Sequence, residues 1–172
     1  MIGNSICNGY QGPAREGLRG VAYVDYIATS YSIDNPFYSR LIVEMAKNSR
    51  YDLIFFNFGL HGYHLSGRSY RSRYGKVLDA LCATAKRVIP VTTTSVYKNG
   101  KERLDTSWKK KCAERNAAVR EHAEARGLAV CDLHAVGEGI PDAHRAPDGF
   151  HYTAEGYATL ADEIVRTAKA FL

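Results

Sequence analysis

The sequence predicts an α/β protein, a three-layer α/β/α sandwich around a central parallel sheet. Strand-like and helix-like segments alternate along the chain, and the helical ones are long enough to serve as crossovers between parallel strands. Residues 52–58, Asp-Leu-Ile-Phe-Phe-Asn-Phe, form a nearly continuous apolar run, the pattern of a strand covered on both faces. At 172 residues the chain is expected to form one domain over 1–172, able to bury roughly two thirds of its unfolded surface.

Each element has its own warrant. Met1-Ile2 is too short for an ordinary strand, so a strand leading into Ser5 is either a stub or begins upstream. Gly9, Gly12, Pro13 and Gly17 argue for a loop as far as Gly20, with at most a short helix. Residues 21–28, rich in β-branched and aromatic side chains, read as a strand, followed by the polar turn 29–32. Asp34-Asn35 before Pro36 supplies a cap and a first-turn proline, and Phe37, Leu41, Ile42 and Met45 then recur at helical spacing up to about Asn48.

The run 52–58 is broken by Gly59-Leu60-His61-Gly62. A helix over 68–86 follows, with Tyr70, Tyr74, Val77, Leu78 and Leu81 as its inner stripe, and then a strand over 88–92 ending in Thr93, Thr94 and Ser95. Residues 96–106 make a polar connection placed to cover part of a cleft. A helix over 107–126, stopped by Gly127, turns Trp108, Cys112, Val119 and Ala123 inward, with Asn116 on the same face to bond a loop. A short strand over 128–132 precedes a last helix capped by Thr153, whose stripe is Tyr157, Leu160, Ala161, Ile164, Val165 and Ala168.

Composition narrows the function. The net charge is +5, with basic clusters at Arg68, Arg71, Arg73 and Lys76 and at Lys109, Lys110 and Lys111. No aromatic-interleaved motif accompanies them, so they read as solvated helix faces and no nucleic-acid partner is expected. Cys7, Cys82, Cys112 and Cys131 form no Cys-x-x-Cys pair, which suggests buried reduced thiols and a cytoplasmic location. No apolar run is long enough to span a bilayer, so no membrane association is expected either.

The chemistry-bearing residues sit where a parallel sheet gathers them, at the carboxyl ends of strands: Ser30, His61, Thr93 and the loop at Asp148. In Asp148-Gly149-Phe150-His151, two residues separate a carboxylate from an imidazole on a turn that Gly149 can tighten. The carboxylate can then bond one ring nitrogen and leave the other free as a base. Ser5, in Gly3-Asn4-Ser5-Ile6, is the candidate nucleophile. His61 and His64 make a possible metal pair without an obvious third ligand, so no metal and no cofactor are expected. His134 reads as a packing or surface residue.

Three ordered blocks resemble the SGNH, or GDSL, hydrolases over almost the full chain. Gly3-Asn4-Ser5-Ile6 is similar to the first block, with Asn4 in place of the usual acid; Asn57-Phe58-Gly59-Leu60-His61 stands at the third; Asp148-x-x-His151, followed by Gly156-Tyr157, matches the fifth. The resemblance implies the flavodoxin-like form of the sandwich and a Ser5, His151, Asp148 triad working through an acyl-enzyme. It also implies oxyanion donors: the Ser5 amide, the Ser30 amide where the second block has glycine, and a donor near Gly59. For that last donor His61 is preferred to Asn57. Tyr31, Tyr63 and Tyr152 flank the motifs as candidate sugar-stacking or cleft-lining residues.

The reading is a serine esterase acting on a small-molecule short acyl ester, a carbohydrate O-acetyl group among the candidates. A thioesterase or lysophospholipase on the same triad ranks lower, because few long apolar stretches lie near the motifs. The rival from another class is a catalytically silent ligand-binding protein of the same fold.

Overall fold

The computed structural model describes residues 1–98, 103–104 and 106–172. Strands β1 (Ile2–Gly3), β2 (Ile27–Ala28), β3 (Leu53–Phe56) and β4 (Arg87–Pro90) form one parallel sheet in the order β2-β1-β3-β4. Helices α1 (Ser5–Gly17), α2 (Pro36–Ser49), α3 (Gly67–Cys82), α4 (Thr106–Glu124) and α6 (Ala154–Phe171) flank it, with a short α5 (Leu133–Glu138) and a 3-10 turn (Asp142–His144) before the last. From β1 the chain first winds outward to β2 and then crosses to β3 on the other side. The order reverses at the β1/β3 boundary, and in such sheets the crevice opens there, beyond the carboxyl ends of the strands.

The side chains of β3 and β4 alternate between two cores. Phe55 and Ile89 join Ile6, Tyr10, Leu160 and Ile164 on one side of the sheet. Ile54, Phe56 and Val88 join Tyr38, Ile42, Tyr74 and Leu78 on the other. This is the period of two of a strand covered on both faces, and it fixes the three layers.

Several local expectations are corrected. The glycine-rich segment after Ser5 is not a loop but a thirteen-residue helix. Its glycines mark helix contact instead: a Cβ at Gly9 would lie 2.1 Å from the ring of Tyr157, and one at Gly17 2.8 Å from Val165. Packing of α1 against α6 therefore overrides the low helix propensity of glycine. The strand over 21–28 shrinks to Ile27–Ala28, because β1 offers only two residues to pair with, and Val21, Tyr23 and Tyr26 are exposed. The strand over 128–132 reduces to a single parallel bridge between Val91 and Cys131.

On α2 the expected helix forms, but a neighbouring stripe turns inward. Tyr38, Ile42 and Ala46 are buried, whereas Phe37 is 62% exposed and Leu41 and Met45 also face outward. Both sets repeat every four residues, so periodicity alone does not choose between them. Asn35 caps this helix as expected, accepting from the Tyr38 amide at 3.0 Å. Thr153 stands at the start of α6 without capping it, since its hydroxyl donates to Glu155 at 2.6 Å.

The connection expected over 96–106 falls at 99–102 and 105 outside the described residues. On either side of them β5 (Tyr97–Lys98) pairs antiparallel with β6 (Arg103–Leu104). At the amino ends of the strands a cavity of about 470 Å³ lies among Met1, Val24, Tyr26, Tyr51, Leu53 and Ile164. Among the described residues no helix is long and apolar enough to cross a membrane, and no three His, Cys, Asp or Glu side chains converge as a metal site.

Candidate active site

Ser5 opens α1 directly after β1. Asn4 sets the start of the helix, its Oδ1 accepting from the Ile6 amide at 3.0 Å. The Ser5 hydroxyl thus stands at a helix amino terminus, where the first N–H groups have no intrahelical partner and the dipole is positive. His151 comes from the other end of the chain, 146 positions away, and its Nε2 lies 2.8 Å from Ser5 Oγ. Its Nδ1 lies 2.5 Å from Asp148 Oδ2. With Nδ1 donating to the carboxylate, Nε2 presents its lone pair to the hydroxyl.

The turn that holds this pair is fixed on all sides. Asp148 Oδ1 accepts from the amides of Phe150 and His151, each at 2.9 Å. Burial raises the Asp148 pKa, but the bonds from His151 and the two amides outweigh it and hold the carboxyl below its ordinary value. Gly149 has φ +79°, and a Cβ there would come within 1.8 Å of the Tyr97 carbonyl. Beneath the turn, buried Arg145 donates to the carbonyls of Gly137 at 2.9 Å and Ile140 at 2.7 Å, with its guanidinium 3.7 Å from the Tyr97 ring centre.

The loop after β3 forms the facing wall. Asn57 is buried and occupied: its Nδ2 donates to the Val91 carbonyl at 2.8 Å and to Thr93 Oγ1 at 3.3 Å, and its Oδ1 accepts from the Gly59 amide at 3.3 Å. The side chain of Asn57 and the N–H of Gly59 therefore have partners already. His61 is half-buried, and its buried Nε2 has no hydrogen-bond partner among the described residues. Burial first, then the charges of Arg115 and His151, hold its imidazole toward the neutral form. Ser30 itself is exposed, and its neighbours Thr29 and Tyr31 line the crevice together with Gly3, Asn4 and His61.

The aromatic candidates separate. Tyr31 lines the crevice and is half exposed. Tyr63 packs edge-on against Trp108 at 4.8 Å, and Trp108 in turn meets Phe150, the neighbour of His151, at 5.4 Å. Tyr152 is not available to a ligand: it is buried in the core with its ring 5.7 Å from that of Tyr157. His64 turns away from His61 to meet Asp34 at 2.9 Å, so the two histidines share no ligand geometry. His134 packs as expected, its Nδ1 3.1 Å from the Thr93 carbonyl and 3.3 Å from Ser95 Oγ.

Three residues near the site, Arg115, Phe150 and Trp108, were not assigned to it from the sequence, although Trp108 was expected to face inward. Arg115 is the largest fully buried side chain and reaches the carbonyls of Gly59, His61 and Gly62. In the sequence it is one basic residue among several on a polar helix, with no signal to mark it. Phe150 and the inner edge of Trp108 form a wall beside His151; the place of Phe150 inside Asp-x-x-His was the available signal. Asn116 bonds a loop as expected, clasping Thr93 through its amide at 2.7 Å and its carbonyl at 2.9 Å.

This doubly wound parallel sheet gathers a hydroxyl, two imidazoles and a carboxylate beyond its carboxyl edge. The chain belongs to the GDSL-like lipase/acylhydrolase family, whose model matches residues 1–159. Among solved structures it is similar to LAE5, an alpha/beta hydrolase enzyme from the metagenome of Lake Arreo, Spain. That match has a TM-score of 0.80 at 13% identity over 99% of this chain and 94% of the other. Axe2, an acetylxylan esterase from Geobacillus stearothermophilus, is similar with a TM-score of 0.78 at 16% identity over 96% and 90%. The lipase/acylhydrolase from Enterococcus faecalis is similar with a TM-score of 0.73 at 18% identity over 98% and 94%. At these identities the likeness is one of fold. No curated protein sequence matches the chain.

Proposed function

We propose that the chain, acting as a single domain over residues 1–172, is a serine esterase that removes short acyl groups through Ser5, His151 and Asp148. The observation that carries this reading is the relay from Ser5 Oγ to His151 Nε2 at 2.8 Å and from His151 Nδ1 to Asp148 at 2.5 Å. Ser5 Oγ attacks the ester carbonyl as His151 Nε2 takes its proton, and the imidazolium then protonates the departing alcohol. Water, deprotonated by the same nitrogen, attacks the acyl-enzyme and frees Ser5. Asp148 orients the ring and stabilises its charged form without taking the proton.

The tetrahedral oxyanion needs donors aimed at it. The Ser5 amide, which as the first residue of α1 has no intrahelical partner, is the first. His61 is preferred over Asn57 as the side-chain donor, because both bonds of the Asn57 amide nitrogen go to Val91 and Thr93. A backbone amide near Ser30 is the remaining candidate.

The crevice among Gly3, Asn4, Tyr31 and His61 has essentially no enclosed volume, which favours a short acyl group over a fatty one. The larger apolar cavity, with room for a long chain, opens at the amino ends of the strands, the edge of the sheet opposite Ser5. For the alcohol, Tyr31, Tyr63 and the Trp108–Phe150 wall offer aromatic faces to a sugar, and Axe2 is an acetylxylan esterase. An acetylated carbohydrate is therefore the proposed substrate class. Labelling of Ser5 by a fluorophosphonate, with acetate release from p-nitrophenyl acetate and from acetylated xylo-oligosaccharides, tests the proposal. An unlabelled Ser5 and turnover no faster than that of Ser5→Ala would leave a ligand-binding protein as the better reading.

A further inference from the structure

We infer that Arg115 is a positioning residue for the His61 donor, holding the loop that carries it by three backbone carbonyls; this rests on the esterase reading above. Arg115 lies on α4 and is 1% exposed. Its Nη1 donates to the carbonyls of Gly59 and, at 3.1 Å, His61, and its Nη2 donates to that of Gly62 at 2.6 Å. The guanidinium carbon also sits 5.0 Å from the centre of the Tyr70 ring.

An arginine inside a protein is costly to desolvate, and its carbonyl and ring contacts offset part of that cost, Nε having no hydrogen-bond partner among the described residues. All three carbonyls belong to residues 59–62 of the loop between β3 and α3. From the other side the loop is held by Asn57, which takes the Gly59 amide at 3.3 Å. At Gly62, φ is +77° and a Cβ would lie 2.0 Å from Ser32 Oγ, so the turn has no room to shift on that flank. Among the described residues His61 Nε2 has no partner to orient the ring, so the direction of the imidazole depends on its backbone.

A planar fork with several donors can gather three carbonyls at once. A lysine ammonium is a single point and cannot reproduce that geometry. The guanidinium charge adds a second effect. After burial it is the largest influence holding the His61 ring neutral, the state with one N–H and no charge of its own. A neutral ring can donate to an oxyanion and leave His151 as the one imidazole that cycles through a charged form.

A purely structural arginine would make the same contacts, and a double-mutant cycle separates the two roles. kcat and KM for an acetyl ester are measured for Arg115→Lys and Arg115→Gln, each alone and combined with His61→Ala, with circular dichroism to select folded variants. Arg115→Lys is expected to lose about 10²-fold in kcat with KM little changed, the scale of a donor misplaced by about 1 Å. In the His61→Ala background the same change is expected to cost less than about threefold, since the donor it positions is gone. Should neither Arg115 variant fold, Tyr70→Leu, which removes the face under the guanidinium together with its stack on Tyr74, carries the same comparison at smaller amplitude in variants that circular dichroism shows to be folded.

Equal losses in both backgrounds, or an undiminished kcat in a folded variant, overturn the inference. Ser5 labelling and wild-type turnover are scored first. A failure there defeats the esterase reading and this inference with it, whereas additive losses in an active enzyme defeat the role of Arg115 alone.

Discussion

At the amino ends of the strands lies a cavity of about 470 Å³, mostly apolar, whereas at the carboxyl ends the crevice among Gly3, Asn4, Tyr31 and His61 has essentially no enclosed volume. The first region has volume and little chemistry: its wall is largely apolar, with Val24, Leu53, Ile54 and Ile164 among its residues. The second has almost no volume, but a hydroxyl, two imidazoles, a carboxylate and a helix amino terminus meet there. In this molecule the size of a void and the density of reactive groups point to opposite edges of one sheet. The proposed active site is a shallow crevice whose specificity lies in what rims it.

Substitutions at the two edges should diverge accordingly. Ser5→Ala is expected to lose roughly 10⁶-fold in kcat, by analogy with other serine hydrolases, in a steady-state assay on an acetyl ester. His61→Ala should lose roughly 10² to 10³-fold with KM nearly unchanged, the scale of one oxyanion donor. An unchanged rate would move that role to backbone amides. Between the edges, Gly9→Val pushes a side chain into Tyr157 and should cost about 1–3 kcal/mol, read as a lowered Tm. At the amino edge, Tyr23→Ser changes a fully exposed residue at the cavity. It should leave kcat within about twofold and stability within about 0.5 kcal/mol. A large loss of activity there would break the contrast.

Acid sharpens the same comparison. The folded pKa of His61 is below its ordinary value of 6.5, so as pH falls through 6.5 the unfolded chain takes up a proton that the folded chain refuses. Stability therefore declines on the acid side of that value. The folded pKa of Asp148 is depressed from its ordinary 3.8, so the stability it contributes is present above 3.8 and is lost as pH falls through the folded value. Thermal melts from pH 8 to pH 4 should show a steeper decline for the wild type than for His61→Gln. Parallel curves would mean that His61 is not desolvated as described.

What was legible in the sequence was what short-range chemistry encodes. The buried run ending at Phe56, the α3 stripe and the Asp148-to-His151 turn each rest on residues close together in the chain. What was not legible depends on distant partners. Gly9 and Gly17 look like helix breakers until Tyr157 and Val165 lie against them. The Phe37 and Tyr38 stripes of α2 are equivalent until one sheet face selects between them. Tyr152 flanks a motif yet belongs to the core, because the bridge between Arg145 and Tyr152 turns it inward. Arg115 acquires meaning only from three carbonyls more than fifty positions away.

The close seating of α1 on α6 ties the proposed reactivity to one helix contact. Ser5 opens the first of these helices and His151 lies just before the second, 146 positions away. Loosening that contact is expected to part the hydroxyl from the imidazole while the sheet stays paired, so ester turnover should report on the seating of the two helices before it reports on the sheet.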